Sequence, residues 1–281
     1  MDLGLRSNFI MYTSFFGFTD NPFNDRITES MFILSESHHQ ALESIFLSIN
    51  AKKGIITITG AEGTGKTILL RYLIKHLYPN IETILIFNTD VTIMGLLKII
   101  VWHLNIPNDC QSISDLLKLL EQCLIEKQLN GKNVVLIIDN ACNLPVHVLE
   151  EIYILSSLET DKKEKLLQIV LVGEPSLTTK LKSNNLKHLI KSITTNCYLQ
   201  PLDHHECKQY ISYRLAIAGC RDNYLFSQKS LEIIYNYSKG IPTAINTLCE
   251  RALQIACEKK IKRIEGDIIE EAIAASVTIS A

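Results

Sequence analysis

Short apolar runs and helical patterns alternate along the chain between residues 54 and 202. The runs are rich in β-branched residues, which is typical of strands buried on both faces of a parallel sheet. The predicted strands are Ile55–Thr59, Thr83–Asn88, Val134–Asp139, Leu167–Val172 and Asn196–Leu199. Apolar residues at helical spacing separate them, and the predicted helices are 66–78, 92–104, 112–129, 145–159 and 176–190, with Trp102 as a core residue of the second. The pattern therefore predicts an α/β fold with a parallel five-stranded sheet.

The strand pattern ends near Asp203, and only helical patterns follow it. The predicted helices in this part are 206–218, 228–238, 243–258 and 267–275, and the residues predicted to end helices are Gly219, Gly240 and Gly266. A further helix is predicted over residues 37–50, after an aromatic cluster. We therefore expect three parts: an N-terminal extension and aromatic segment over 1–44, the α/β core over 45–202, and a small all-helical lid domain over 203–281.

Composition narrows the class of protein. Hydrophobic residues make up 47% of the chain and charged residues 21%, as in a packed globular protein. The 28 Lys and Arg residues against 30 Asp and Glu residues give a formal charge of −2, which argues against a nucleic-acid partner on electrostatic grounds. No apolar run reaches the roughly 18 to 20 residues that a membrane-spanning helix needs, and the first ten residues lack the features of a secretory signal. The predicted location is therefore the cytoplasm, where eight cysteines without a Cys-x-x-Cys pair are expected to stay reduced.

A phosphate-binding motif lies between the first predicted strand and its helix. Its residues are Gly60, Ala61, Glu62, Gly63, Thr64, Gly65, Lys66 and Thr67, which match G-x-x-x-x-G-K-[ST]. The glycines allow backbone N–H groups to surround a phosphate, and the helix that follows contributes the positive end of its dipole. We expect Lys66 to contact the β- and γ-phosphates of ATP and the Thr67 hydroxyl to bind Mg²⁺.

A second candidate for the metal site is Asp139, at the end of the apolar strand 134–139. In P-loop enzymes a carboxylate at this place holds Mg²⁺. The next residue of many such ATPases is a glutamate that polarises the attacking water, but here it is Asn140. We assign Lys66, Asp139 and Asn140 as the candidate catalytic set. Because an amide cannot accept a proton, we expect general-base assistance, typically worth about 10² to 10⁴ in rate, to be lost or greatly reduced.

A series of motifs between about Met11 and Leu253 occurs in the same order as in a known protein family. They are Tyr12–Phe18, Asn21–Phe23, Leu34–Leu42, Leu155–Thr160, Leu166–Pro175, Tyr198–Leu202 and Gly240–Asn246, in addition to the P-loop. In these segments the chain resembles the AAA+ ATPases of the general secretion pathway protein A group, the ExeA-type ATPases of type II secretion, and their relatives from MSHA-type pilus biogenesis. The resemblance implies an AAA+ P-loop NTPase fold, ATP and Mg²⁺ as ligands, and inner-membrane secretion or pilus assembly proteins as partners. Homo-oligomerisation is left open.

The departures from that family fall where hydrolysis would be carried out. Asn140 replaces the catalytic Glu, Ser192 and Thr243 replace two Arg residues, and Glu174 replaces a Gln. An arginine finger alone can be worth about 10³ to 10⁵ in rate. Our hypothesis is that the protein binds ATP and Mg²⁺ but hydrolyses ATP slowly or not at all, and acts as a nucleotide-stabilised switch or scaffold.

Three functions remain open from the sequence. The leading one is an accessory ATPase or nucleotide-dependent switch for type II secretion or MSHA-like type IV pilus assembly, cytoplasmic or peripheral at the inner membrane through its partners. The alternatives are a DNA-associated AAA+ ATPase of the transposition-accessory type and a structural subunit that binds no nucleotide. The resemblance starts at Met11, so residues 1–10 are interpreted as an extension or a start-site artefact, and the end at Ala281 is interpreted as resembling pilus-type relatives.

Overall fold

The computed structural model describes residues 12–24, 33–87, 89–107, 109–161, 163–220 and 225–277. Two compact units divide the chain. The α/β unit comprises residues 36–61 and 66–199, and the helical unit comprises the described parts of 1–35, 62–65 and 200–281.

The α/β unit contains a single five-stranded sheet. Its strands are β1 (Ile55–Gly60), β2 (Ile81–Ile86), β3 (Asn133–Ile138), β4 (Leu167–Gly173) and β5 (Ile193–Leu199). All neighbouring strands are parallel, in the order β2-β3-β4-β1-β5. Every residue of β1 and β4 is buried, as is every residue of β3 after the first, because helices cover both faces of a parallel sheet. The predicted five-stranded parallel sheet is confirmed.

The first helix of this unit precedes β1, and the others connect its strands. They are α1 (Glu36–Asn50), α2 (Lys66–His76), α3 (Ile93–His103), α4 (Ile113–Leu129), α5 (Val146–Ser156), α6 (Pro175–Leu181) and α7 (Lys187–Ser192). Side-chain caps define two of the starts. Thr92 Oγ1 accepts the Gly95 N–H ahead of α3, and Ser112 Oγ accepts the Asp115 N–H ahead of α4.

Two predictions in this unit are wrong. The predicted helix 176–190 is broken, because α6 ends at Leu181 and a short 3₁₀ turn over Asn184–Leu186 precedes α7. The break falls at polar residues whose side chains compete with the helical backbone for hydrogen bonds. Trp102 was expected in the core, but 72% of its surface is exposed.

Within the described residues after 200, the helical unit contains four helices. They are α8 (His204–Ile217), α9 (Gln228–Ser238), α10 (Pro242–Glu258) and α11 (Gly266–Val277). Gly219 and Gly240 follow the ends of α8 and α9 with φ of +83° and +75°, as predicted for helix stops. Gly266 was also predicted to end a helix, which is wrong because α11 begins there. None of the described helices has the length and apolarity to span a membrane.

Residues 12–24 belong to the core of the helical unit. Tyr12 is fully buried and Phe23 is 1% exposed in its hydrophobic cluster. Two polar contacts add to this packing: Asn21 Nδ2 donates to Glu250 Oε1 at 2.9 Å, and Arg214 Nη2 donates to the carbonyl of Asn24 at 2.8 Å. The unit is therefore completed by residues from opposite ends of the sequence.

Two buried cysteine thiols should make the folded protein less stable at alkaline pH. Burial raises the pKa of Cys197 to about 11 and that of Cys207 to about 12, from 9.0. The unfolded chain releases these protons near pH 9.0 while the folded chain retains them, so the free energy of unfolding should fall as pH rises from 9.0 toward these raised values. Urea unfolding at a series of pH values measures the decline. Cys207→Ala should show a shallower one, and a decline equal to that of the unaltered protein would contradict this account.

Candidate nucleotide-binding site

The P-loop joins the end of β1 to the start of α2. Gly63 and Gly65 have φ of +77° and +96°, which lie in the left-handed region that favours glycine. The space at Gly63 is also closed to a side chain, because a Cβ atom there would lie 2.0 Å from Oγ1 of Thr243. Gly63 and Thr243 both belong to the helical unit, to which the loop tip 62–65 is assigned. Only glycine fits this position as the structure stands.

Lys66 is the first residue of α2 and is 9% exposed. Its ammonium group donates to the carbonyl oxygens of Gly60 and Ala61, each at 2.9 Å. A buried charge needs such polar partners to offset the loss of water. The Lys66 side chain therefore folds over the P-loop, and its ammonium group lies next to the loop backbone.

Thr67 and Asp139 meet at the carboxyl ends of the strands, although 72 residues separate them in the sequence. Thr67 Oγ1 donates to Asp139 Oδ2 at 3.0 Å. The other carboxylate oxygen, Oδ1, accepts the Asn140 N–H at 2.9 Å. Asp139 is 2% exposed, and its own N–H donates to the carbonyl of Ile86 in β2. The two predicted metal ligands are thus adjacent, and both carboxylate oxygens are oriented by hydrogen bonds.

Asn140 starts the turn that follows β3. Its backbone is left-handed, with φ 53° and ψ 37°, and a 3₁₀ turn over Ala141–Asn143 comes next. Asparagine is among the residues that best tolerate this conformation. The side chain is exposed.

The three other departures from the family pattern lie in different elements. Ser192 ends α7, and its hydroxyl donates to the Leu189 carbonyl at 2.7 Å. Glu174 is the residue before α6, exposed and without a capping bond from its side chain. Thr243 lies in the first turn of α10 and packs against Gly63. Neither Ser192 nor Thr243 supplies positive charge.

Two contacts at this site escaped prediction from the sequence. One is the packing of Thr243 on Gly63. The other is a pair of hydrogen bonds from Lys180 in α6 to the turn after Asp139. Residue spacing carries no signal for either, because each joins segments that are distant in the sequence.

Comparison with known proteins finds a matching domain model and a curated relative. Residues 49–181 match the model of an AAA domain. Over 260 residues, 92% of the chain, the sequence is 36% identical to general secretion pathway protein A of Aeromonas hydrophila. These matches identify an AAA domain in the chain and relate it to the AAA+ family. Within that family the resemblance to the ExeA type is confirmed, and the chain spans about half, 47%, of the length of this curated relative.

Solved structures share the fold of this AAA+ protein. ORC2 of Aeropyrum pernix in its ADPNP–ADP complexes is 14% identical with a TM-score of 0.65, covering 92% of this chain and 72% of that one. Drosophila ORC bound to DNA is 17% identical with a TM-score of 0.67, covering 95% and 66%. The RuvB Holliday junction branch migration motor of Thermotoga maritima is 18% identical with a TM-score of 0.57, covering 88% and 73%. At these identities the likeness shows the fold alone, and it confirms the predicted α/β P-loop class with a helical C-terminal part.

Proposed function

We propose that this AAA+ protein binds ATP with Mg²⁺ and acts as an accessory ATPase or nucleotide-dependent switch in type II secretion or MSHA-like type IV pilus assembly. The observation that carries the proposal is the contact of Thr67 with Asp139 directly after Lys66, whose ammonium group lies at the P-loop, in a chain 36% identical to a general secretion pathway protein. Its proposed partners are inner-membrane assembly proteins, which would hold it at the cytoplasmic face, and further copies of the chain.

The donor set fits both ligands. A hydroxyl and a carboxylate oxygen 3.0 Å apart are the hard oxygen ligands that Mg²⁺ takes, so Thr67 and Asp139 would hold the ion. Bound Mg²⁺ neutralises phosphate charge. Lys66 would exchange its two carbonyl partners for phosphate oxygens, and the loop residues Gly60 to Thr67 would surround the phosphates with N–H groups.

Slow turnover belongs to the same proposal. The exposed amide of Asn140 can orient a water by hydrogen bonding but cannot take its proton. Ser192 uses its hydroxyl on its own helix, and Thr243 presents a hydroxyl to the loop tip. Neither replaces the charge that an arginine brings to the transferred phosphoryl group.

Binding is tested by thermal unfolding and by titration with a fluorescent ATP analogue. ATP with Mg²⁺ at about 100 times its dissociation constant should add roughly 2.7 kcal/mol to the free energy of unfolding. Lys66→Ala and Asp139→Ala should lose this gain. Arg71→Ala, which removes an exposed cation from the same helix α2, should keep it. No stabilisation of the unaltered protein by ATP with Mg²⁺ would overturn the proposal in favour of a subunit that binds no nucleotide.

Turnover is tested by restoring the family residues. The triple variant Asn140→Glu, Ser192→Arg, Thr243→Arg should hydrolyse ATP faster than the unaltered protein. Asn140→Glu alone should not, because both arginines are still missing and because glutamate fits the left-handed backbone at 140 less well than asparagine. An ordinary ATPase rate for the unaltered protein, abolished by Lys66→Ala, would rule out slow turnover.

The alternative function is that of a DNA-associated AAA+ ATPase, and its support is the likeness in fold to ORC and RuvB. Salt-dependent retention on duplex DNA is the measurement that would favour it.

A further inference from the structure

Lys180 connects helix α6 to the turn that follows the metal-site strand. Its ammonium group donates to the carbonyl of Cys142 at 2.9 Å and to that of Leu144 at 2.5 Å. The side chain is half-buried, and it forms no ion pair with any carboxylate of the described residues. Hydrogen bonds from a charged donor are stronger than neutral ones. The charge of Lys180 is therefore directed at the backbone of this turn.

The turn also lies beside the end of β4. The last residue of that strand is Gly173, where a Cβ atom would lie 3.4 Å from the Cys142 nitrogen. A Cβ atom at that distance would make only ordinary van der Waals contact, so the turn lies next to the strand end without being crowded by it. The two hydrogen bonds of Lys180 are therefore what holds the backbone between Asn140 and Leu144.

That backbone sets the orientation of the Asp139 carboxylate. The Asn140 N–H, at the start of the turn, donates to Asp139 Oδ1. With Oδ1 held in this way, Oδ2 accepts from Thr67 Oγ1. The contacts thus run in an unbroken series from Lys180 through the turn to the two proposed Mg²⁺ ligands.

We propose that Lys180 is a positioning residue for the metal site: by holding the turn after β3, it keeps the Asp139 carboxylate directed at Thr67. The inference rests on the proposed function. Groups that orient metal ligands typically contribute about 10- to 100-fold to metal affinity. Loss of Lys180 should therefore weaken the Mg²⁺-dependent part of ATP binding and leave the Mg²⁺-independent part unchanged.

The test compares the affinity for the fluorescent ATP analogue with Mg²⁺ and with EDTA. Lys180→Met keeps the length and packing of the side chain but removes the donors, and it should lower the gain in affinity from Mg²⁺ by about tenfold. Lys180→Arg, which still carries charged donors, should retain most of the gain. Lys182→Met removes an exposed lysine just after α6 and should leave the gain intact. A merely structural role would lower both affinities together.

A second readout needs no nucleotide. Amide hydrogen exchange of residues 140–144 should be faster in Lys180→Met than in the unaltered protein and in Lys182→Met. If ATP binds but the gain from Mg²⁺ survives in Lys180→Met, or if exchange of this turn is unchanged, the positioning role is overturned while the proposed function stands. If the unaltered protein binds no ATP, the proposed function fails and the metal role fails with it, whereas faster exchange would still support the hold of Lys180 on the turn.

Discussion

Replacing Gly240 with alanine is expected to lower the free energy of unfolding by about 4 kcal/mol, a large fraction of the stability of a typical folded domain. The residue has φ +75°, and a Cβ atom would lie 1.9 Å from the carbonyl oxygen of Leu202. The Leu202 carbonyl cannot easily move away, because the Leu202 N–H donates to the Gly240 carbonyl at 2.9 Å and keeps the two segments close to each other. Backbone strain and overpacking each cost about 1 to 3 kcal/mol. Urea unfolding of the purified variant measures the sum.

Gly17→Ala is the matched control for this prediction. Gly17 also belongs to the helical unit and has φ +74°, but no atom lies within 4 Å of the position a Cβ would take. The substitution should therefore cost only the left-handed strain, about 1 to 2 kcal/mol. A Gly240→Ala protein as stable as Gly17→Ala would show that the contact with Leu202 does not constrain the fold.

Gly63→Ala should weaken the proposed binding of ATP by about 100-fold, which corresponds to roughly 2.7 kcal/mol. The added methyl group meets both the left-handed φ of +77° and the Thr243 hydroxyl at 2.0 Å. The loop must shift to accommodate it, and the N–H groups that would surround the phosphates shift with it. Titration with the fluorescent ATP analogue measures the loss, and Gly17→Ala again provides the control.

The double variant Gly63→Ala, Thr243→Ala separates the two causes. Removing the Thr243 hydroxyl leaves the new methyl group 2.9 Å from Cγ2 of Ile241 and 3.1 Å from Cβ of Thr243, so a shift is still needed, but a smaller one. Part of the lost affinity should return, while the part due to backbone strain remains. If the double variant binds ATP no better than Gly63→Ala, packing on Thr243 has no part in the effect.

The parallel sheet and the site at its edge were accessible from the sequence because their signals are local. The motif from Gly60 to Thr67 is contiguous, and the apolar run before Asp139 marks a buried strand. Since parallel strands of an open α/β sheet present their carboxyl ends at one edge, the meeting of Thr67 with Asp139 follows from those two signals.

The wrong and missing predictions have physical reasons. Helix α3 (Ile93–His103) has apolar residues around most of its circumference, so periodicity could not show that Trp102 faces outward. Glycine can begin a helix as well as end one, which is why Gly266 was misread. Lys180 looks like any surface lysine in the sequence, and only the fold brings its ammonium group to the carbonyls of a turn 36 and 38 residues earlier.

The junction of residues 12–24 with the last four helices has a consequence for synthesis on the ribosome. The hydrogen bond between Asn21 and Glu250 can form only after the 229 residues that separate them have been made. At about 5 to 20 residues per second, their synthesis takes about 10 to 45 s. During that time the α/β unit can form from segments already made, since all of them precede residue 200. Residues 12–24 are then made before the α/β unit but complete their packing after it, and until then their aromatic side chains lack the partners that bury them in the folded unit.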